Sequence, residues 1–179
     1  MRVALLYGDP SGDGPERLAM FLRAQNGEFS PVILGSEPIY TAALSRICPD
    51  LIDRYPVYNV PVGKIVRGEA DGESGRAFLQ TAEKLPFLFR HGLTDAALVL
   101  SPDEEALLKA DRRITSDIAL WEHVFPARRA ARDVFLVDGH AVYAYRGLGL
   151  PVVMTDDASA GWTVLKNQSI YIKDEENRQ

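Results

Sequence analysis

The chain has 179 residues, of which 46 % are apolar and 25 % charged, which excludes a disordered polymer and fits one globular domain over 1–179. The net charge of −5, without a basic stripe, argues against nucleic acid as a partner. No apolar run reaches the ~20 residues of a membrane span or forms a signal peptide, and the single cysteine fits a reducing compartment. We therefore expect a cytoplasmic protein with no membrane partner.

Strands and helices alternate from the start of the chain. An apolar strand over 2–8 leads through the loop Gly8 to Gly14 into a helix from Pro15 to about Gln25, where proline is tolerated in the first turn. A second strand follows over 29–34 and a short helix over 39–47. This order is typical of βαβ units.

The middle of the chain contains one irregular segment. Residues 49–75 are interrupted by prolines and glycines, so we expect an edge strand within a surface excursion or lid. A helix capped by Asp71 or Ser74 then runs to about Arg90, and a buried strand follows over 95–101.

The unit from Asp133 to Asp157 has the strongest pattern, and a helix over 116–132 precedes it. Apolar runs at 134–137 and 152–154 flank a helix-length segment, 140–146. Two unbroken apolar runs connected in this way predict parallel strands that are buried on both faces.

The last part of the chain predicts a change of strand direction. Two further apolar runs, 162–166 and 169–173, indicate an antiparallel hairpin, and 174–179 a frayed polar tail. Together the elements predict an α/β fold. We expect a three-layer, flavodoxin- or Rossmann-like sheet of about five mainly parallel strands with a small C-terminal antiparallel hairpin.

The candidate site lies in loops that follow the predicted parallel strands, because ligands of such sheets bind outside the carboxyl ends of the strands. Hydroxyls, carboxylates and backbone N–H groups there suit a sugar or a nucleotide. Trp162 could cover a base or a sugar ring. The candidate ligand-binding residues are Asp9, Ser11, Gly12, Asp13, Gly14, Ser159 and Trp162.

Asp138 and His140 are the candidate catalytic residues. A neutral imidazole can act as a general base, and a neighbouring carboxylate can fix its tautomer. Asp156 and Asp157 are candidate metal ligands, for which Mg²⁺ is the ion that carboxylate oxygens suit. The pattern requires no other cofactor.

These residues favour a protein that binds a nucleoside, nucleotide or sugar phosphate at the strand-end crevice. If it is an enzyme, we expect glycosyl transfer or hydrolysis. Two alternatives stay open. One is a non-catalytic interaction or assembly protein with a vestigial crevice, for instance a homodimer, and the other is a Mg²⁺-dependent phosphoesterase. Converging carboxylates would favour the enzymes, and diverging ones the interaction protein.

The order of several motifs resembles that of nucleoside 2-deoxyribosyltransferase-like proteins. The segment from Val3 to Gln25 matches their opening strand, Gly-Pro loop and helix, and Asp117, Asp138-Gly139 and the run from Gly149 to Val152 follow in the family's order. The family's nucleophilic Glu has no counterpart in 140–146. The resemblance therefore implies the fold and a nucleotide-sized pocket.

Overall fold

One mixed sheet forms the centre of the molecule. The computed structural model describes the backbone of residues 1–178 and the side chains of residues 1–168. Within these residues there are seven strands: β1 Arg2–Leu6, β2 Ser30–Gly35, β3 Val57–Asn59, β4 Ala96–Leu100, β5 Ala131–Val137, β6 His140–Arg146 and β7 Val152–Thr155. The same part of the chain contains seven α-helices: α1 Gly14–Ala24, α2 Glu37–Ile47, α3 Gly72–Ala82, α4 Leu85–Arg90, α5 Glu104–Ala110, α6 Asp117–Val124 and α7 Ala158–Arg178.

The strand order is β3-β2-β1-β4-β7-β6-β5. The five neighbouring strands β3, β2, β1, β4 and β7 are parallel to one another. β6 is antiparallel to β7, and β5 is antiparallel to β6. The three-layer Rossmann-like α/β fold expected from the sequence is therefore confirmed. Because the chain adds strands on one side of β1 and then on the other, the loops after β1 and β4 flank the topological switch point.

Each face of the sheet has its own apolar core. Along β1, Val3 and Leu5 point to the face covered by α1, α2 and α7, whereas Ala4 and Leu6 point to the face covered by α3, α4, α5 and α6. All four side chains are fully buried. The uninterrupted apolar run is thus explained by helices on both faces.

The irregular segment contains a short edge strand, as the prolines predicted. β3 lies at one end of the sheet and pairs only with β2. Asp71 then caps α3, since its Oδ1 accepts hydrogen bonds from the backbone N–H groups of Glu73 and Ser74 at 3.1 and 3.0 Å. The predicted single helix to Arg90 is two helices, because Pro86 occupies the first turn of α4.

The helix expected over 140–146 was wrong, because this segment is strand β6. Asp138 and Gly139 have φ values of 50° and 81°, which form a two-residue turn of the type that joins antiparallel strands. β5 and β6 are thus the antiparallel pair, with Val137 opposite His140. β5 is also largely exposed, so the expectation that it is buried on both faces was wrong.

The helix expected over 116–132 is shorter than predicted. α6 ends at Val124, and Phe125 lies in a non-helical conformation. The reason is local: Pro126 follows, and the residue before a proline is disfavoured in the helical region. The chain then turns into β5 at Ala131, so Arg132 lies on a strand and not in a last helical turn.

The C-terminal hairpin expected at 162–166 and 169–173 was also wrong, since both runs belong to α7. Asp157 starts this helix by accepting a hydrogen bond from the Ala160 N–H at 2.8 Å. Ala158, Trp162 and Leu165 then form a buried stripe at helical spacing. Most of the tail expected to be frayed is helical as far as Arg178, and Gln179 lies outside the described residues.

Buried tyrosines give the fold a predicted sensitivity to alkali. Tyr7 is buried, which raises its pKa to about 12, and its hydroxyl accepts a hydrogen bond from the Ser36 N–H at 2.8 Å. Burial also raises the pKa of Tyr40 and Tyr145. A group whose folded pKa is raised contributes stability that is complete below its unfolded pKa of about 10 and is lost above it.

We therefore expect the urea midpoint to fall as the pH rises from about 10 to about 12, together with the appearance of tyrosinate absorbance on unfolding. Tyr7→Phe should reduce this fall, because it removes one of the hydroxyls whose pKa is raised by burial. A midpoint that stays constant across this range would contradict the assignment.

Candidate functional site

The loop after β1 is closely packed against its neighbours. The Asp9 Oδ1 accepts hydrogen bonds from the N–H and the hydroxyl of Ser11, at 2.9 and 2.7 Å. A Cβ added to Gly14 would overlap the Tyr7 carbonyl oxygen, and one added to Gly8 would lie 2.7 Å from the Leu100 oxygen. The loops after β1 and β4 are therefore in close contact at Gly8, beside the switch point.

The irregular segment 49–75 is attached to the same loop through Arg67 and Gly68. The Gly68 N–H donates to the Ser11 carbonyl oxygen at 2.7 Å. The guanidinium of Arg67 bonds to Glu16, a buried carboxylate in the first turn of α1, which also accepts a hydrogen bond from Arg46 at 2.5 Å. Although burial would raise the pKa of Glu16, the hydrogen bonds from Arg67 and Arg46 hold it below its usual range. This ion cluster was not identified from the sequence.

Asp156 and Asp157, at the end of β7, lie close to the two ring nitrogens of His140. Its Nδ1 lies 3.5 Å from the Asp156 Oδ1, and its Nε2 lies 3.6 Å from the Asp157 Oδ2. Asp157 also caps α7. Among the described residues, no group of three or more His, Cys, Asp or Glu is arranged to hold a metal ion. The assignment of Mg²⁺ to Asp156 and Asp157 stays a prediction.

The other predicted site residues are not brought to this cluster. Asp138 lies in the exposed β5–β6 turn. Asp13 is exposed and pairs with Arg17 at 3.1 Å. Ser159 is exposed on the first turn of α7, and Trp162 is buried, with its Nε1 donating to Glu28 at 2.6 Å. Gly12 lies beside Asp9 within the first loop.

A wide cleft lies one strand away from the switch point, outside the carboxyl ends of β4 and β7. It has a volume of about 610 Å³. Its floor is apolar and buried, and consists of Leu107, Ile114, Leu120 and Met154. Its polar walls include Ser101 at the end of β4, Glu104 and Glu105 of α5, Thr115 and Asp117 before and in α6, and Arg132 and Tyr143 of the hairpin.

Asp117 organises one wall of this cleft. Its Oδ2 accepts hydrogen bonds from the Tyr145 hydroxyl at 2.6 Å and the Arg132 Nη1 at 3.0 Å, and its Oδ1 accepts from the Ile118 N–H at 3.0 Å. Burial would raise the pKa of Asp117, but the hydrogen bonds from Tyr145 and Arg132 hold it below its usual range. The guanidinium of Arg132 is thereby fixed 5.2 Å above the ring of Tyr143.

Sequence reasoning missed this cleft because the hairpin was predicted to be a helix. In 140–146, Val142 and Ala144 alternate with Tyr143 and Tyr145, which is the period of a strand. That alternation, together with the Asp138-Gly139 turn, would have placed β5 beside β6.

Comparisons with solved structures identify the fold. The chain is similar to 4-hydroxythreonine-4-phosphate dehydrogenases from Burkholderia phymatum, with 14% identity and a TM-score of 0.63, and Klebsiella pneumoniae, with 19% identity and a TM-score of 0.60. Each match covers 78% of this chain and 48% of the other. A terephthalate 1,2-cis-dihydrodiol dehydrogenase from Burkholderia xenovorans is 25% identical, with a TM-score of 0.57, and the match covers 70% of this chain and 40% of that chain.

The chain thus spans about half the length of these solved proteins, and the identities to the 4-hydroxythreonine-4-phosphate dehydrogenases show the fold alone. No family model and no curated protein matches the chain. No described helix is both long enough and apolar enough to cross a membrane.

Proposed function

We propose that the protein binds a small hydroxylated molecule that carries one anionic group, the class that includes sugar phosphates and nucleoside monophosphates. The cleft outside β4 and β7 is the observation that carries this proposal. Its volume of about 610 Å³ lies within the range of small-molecule sites, roughly 300–1,000 Å³. An apolar floor beneath a few polar groups is the usual composition of such sites.

The polar walls suit hydroxyl groups. The hydroxyls of Ser101, Thr115 and Tyr143 line the cleft and have no hydrogen-bond partner among the described residues. Each can both donate and accept, as ligand hydroxyls do. Glu104 adds an acceptor at the rim. The apolar side chains of the floor would contact the apolar face of a sugar ring or a base.

Charge limits the ligand to one anionic group. Arg132 is the cationic group among the lining residues, and its Nη1 is held by Asp117 while its Nε and Nη2 have no partner in the described chain. These free donors can bind a phosphate or a carboxylate oxygen. Glu104 and Glu105 would repel additional negative charge, so we expect monophosphates to bind more tightly than triphosphates.

The names of the structurally similar proteins support this class of ligand. 4-Hydroxythreonine 4-phosphate and the dihydrodiol of terephthalate, after which these proteins are named, are both small hydroxylated anions. Each carries two acidic groups, whereas the single cationic side chain of this cleft favours a ligand with one. The same names imply a redox cofactor in those proteins. The tightly packed loop after β1, with Ser11 buried and Asp9 and Asp13 acidic, does not fit a dinucleotide.

Binding is the activity that the cleft supports best. Asp117 is occupied by hydrogen bonds from Tyr145, Arg132 and Ile118, and its depressed pKa keeps it ionised, so it positions Arg132 and does not carry a proton. Glycosyl transfer and hydrolysis generally use a pair of carboxylates, and within the described chain Glu104 is the one lining carboxylate without a partner. We therefore assign no reaction to the cleft.

A thermal-shift series tests the proposal. Sugar phosphates and nucleoside monophosphates are compared with their unphosphorylated forms and with nucleoside triphosphates. A ligand at about 100 times its dissociation constant adds about 2.7 kcal/mol and should raise the midpoint by several degrees. We expect the largest shift with a monophosphate.

Two matched variants locate the binding site. Leu108→Trp should fill the cleft and abolish the shift, because Leu108 lines it and is 41% exposed. Leu93→Trp, at a position that is 42% exposed outside the cleft, should leave the shift unchanged. A shift that survives Leu108→Trp, or no shift with any of the compounds, would overturn the proposal.

A further inference from the structure

Strand β5 has an exposed apolar edge. Among the described residues it pairs only with β6, so one side of its backbone has no partner strand. Val134, Phe135 and Leu136 are 56%, 42% and 78% exposed and adjacent in sequence. Natural edge strands are usually protected by lysine, proline, a bulge or a short length, and the segment from Val134 to Val137 has none of these.

We propose that β5 pairs with β5 of a second copy of this chain, in antiparallel orientation about a two-fold axis at Phe135. The two sheets then become one continuous sheet. This inference rests on the free strand edge and not on the ligand proposed above, although Arg132, which lines the cleft, also lies on this strand.

The backbone pattern permits this register. Val137 and His140 flank the two-residue turn, so they form a hydrogen-bonded pair, and hydrogen-bonded pairs alternate along an antiparallel ladder. Phe135 therefore bonds toward β6, while the N–H and C=O groups of Val134 and Leu136 point to the free edge. A two-fold axis at Phe135 sets Val134 opposite Leu136 of the second copy, with these outward groups facing each other.

The side chains are complementary in the same register. Val134 faces Leu136 of the second copy, and Phe135 faces Phe135 across the axis, so the exposed apolar groups cover one another. At each end Arg132 faces Asp138 of the second copy. The Asp138 carboxylate forms no hydrogen bond or ion pair with the described side chains, and it would gain an opposite charge. A two-fold axis at Val134 or at Leu136 would set neither Val134 opposite Leu136 nor Arg132 opposite Asp138.

The oligomeric state of the full chain tests the proposal. We expect a dimer by light scattering coupled to size exclusion, with a dissociation constant below about 0.1 mM. Val134→Lys should raise this constant at least tenfold by placing a charge opposite Leu136. Met20→Lys, at a position that is 57% exposed on α1, is the matched control and should leave the dimer intact. A monomeric wild-type chain, or a dimer that Val134→Lys does not weaken, would overturn the proposal.

A pair of cysteine variants tests the register. Phe135→Cys should form a disulfide-linked dimer under mild oxidation, because the Cα atoms of a non-hydrogen-bonded pair lie about 4.5 Å apart. Val137→Cys should not, since its counterpart in the second copy lies roughly 13 Å away. The native Cys48 is fully buried and does not compete. Crosslinking of Val137→Cys in preference to Phe135→Cys would exclude the axis at Phe135.

Discussion

Replacing Asp117 with asparagine is expected to lower the free energy of unfolding by about 2–3 kcal/mol, since hydrogen bonds to a charged group each contribute about 1.5–3 kcal/mol. The Asp117 side chain is only 17% exposed and accepts hydrogen bonds from Tyr145, Arg132 and Ile118. An amide has one acceptor oxygen, and its NH₂ group would face the guanidinium of Arg132. Urea unfolding at neutral pH measures the loss.

Asp133→Asn is the matched control for this substitution. Asp133 accepts a hydrogen bond from the Arg146 Nε at 2.7 Å on the same hairpin, but its side chain is 42% exposed. Exposed pairs contribute about 0–1 kcal/mol because solvent screens them. An equal effect of the two substitutions would show that the burial of Asp117 is not what makes it important.

The Asp117 substitution should also change the acid limb of stability. A carboxyl whose folded pKa is depressed contributes stability that is present above its unfolded pKa of about 3.9 and is lost as the pH falls below that value. The wild-type protein should therefore lose stability below about pH 4 more steeply than Asp117→Asn. Parallel acid limbs for the two proteins would contradict the role assigned to Asp117.

Replacing Gly75 with alanine is expected to lower the free energy of unfolding by about 3 kcal/mol, the upper part of the range for overpacking. Gly75 lies where α3 crosses α5, and an added Cβ would overlap the carbonyl group of Ala106 and lie 2.9 Å from the Leu107 nitrogen. These are backbone atoms, so the two helices must separate. Urea unfolding measures the effect. Because Leu107 lies in the floor of the cleft, ligand binding should weaken as well.

Gly72→Ala is the control on the same helix. The atom nearest to an added Cβ there is the Lys109 Cβ at 3.8 Å, an ordinary contact. Alanine is favoured over glycine in a helix by up to about 1 kcal/mol, so Gly72→Ala should be neutral or stabilising. If both variants have the same stability, the close crossing of α3 and α5 is not a constraint on the fold.

Local sequence patterns were sufficient for the elements that are buried on both faces. The apolar runs of β1, β4 and β7 and the proline at the start of α1 identify these segments from their own residues. Their order predicts a parallel sheet, because parallel strands need helical crossovers. The three-layer fold followed from these elements.

The hairpin of β5 and β6 could have been predicted from the sequence, but its turn was interpreted as the start of a helix. Asp138-Gly139 between two β-branched and aromatic runs is a strong hairpin pattern. The same dipeptide can also end one strand and begin a helix, and this interpretation made β6 a helix. The error removed Arg132 and Tyr143 from the vicinity of Asp117, and with them the cleft.

The sequence by itself determined the fold class and the edge of the sheet where polar loops gather, because apolar periodicity and loop position are properties of neighbouring residues. Only the tertiary structure decided where that edge is open. The loops after β1 and β4 are in close contact beside the switch point, and the cleft forms between α5, α6 and the hairpin. Its walls unite residues such as Ser101 and Tyr143, which are distant along the chain, and packing alone brings such residues together.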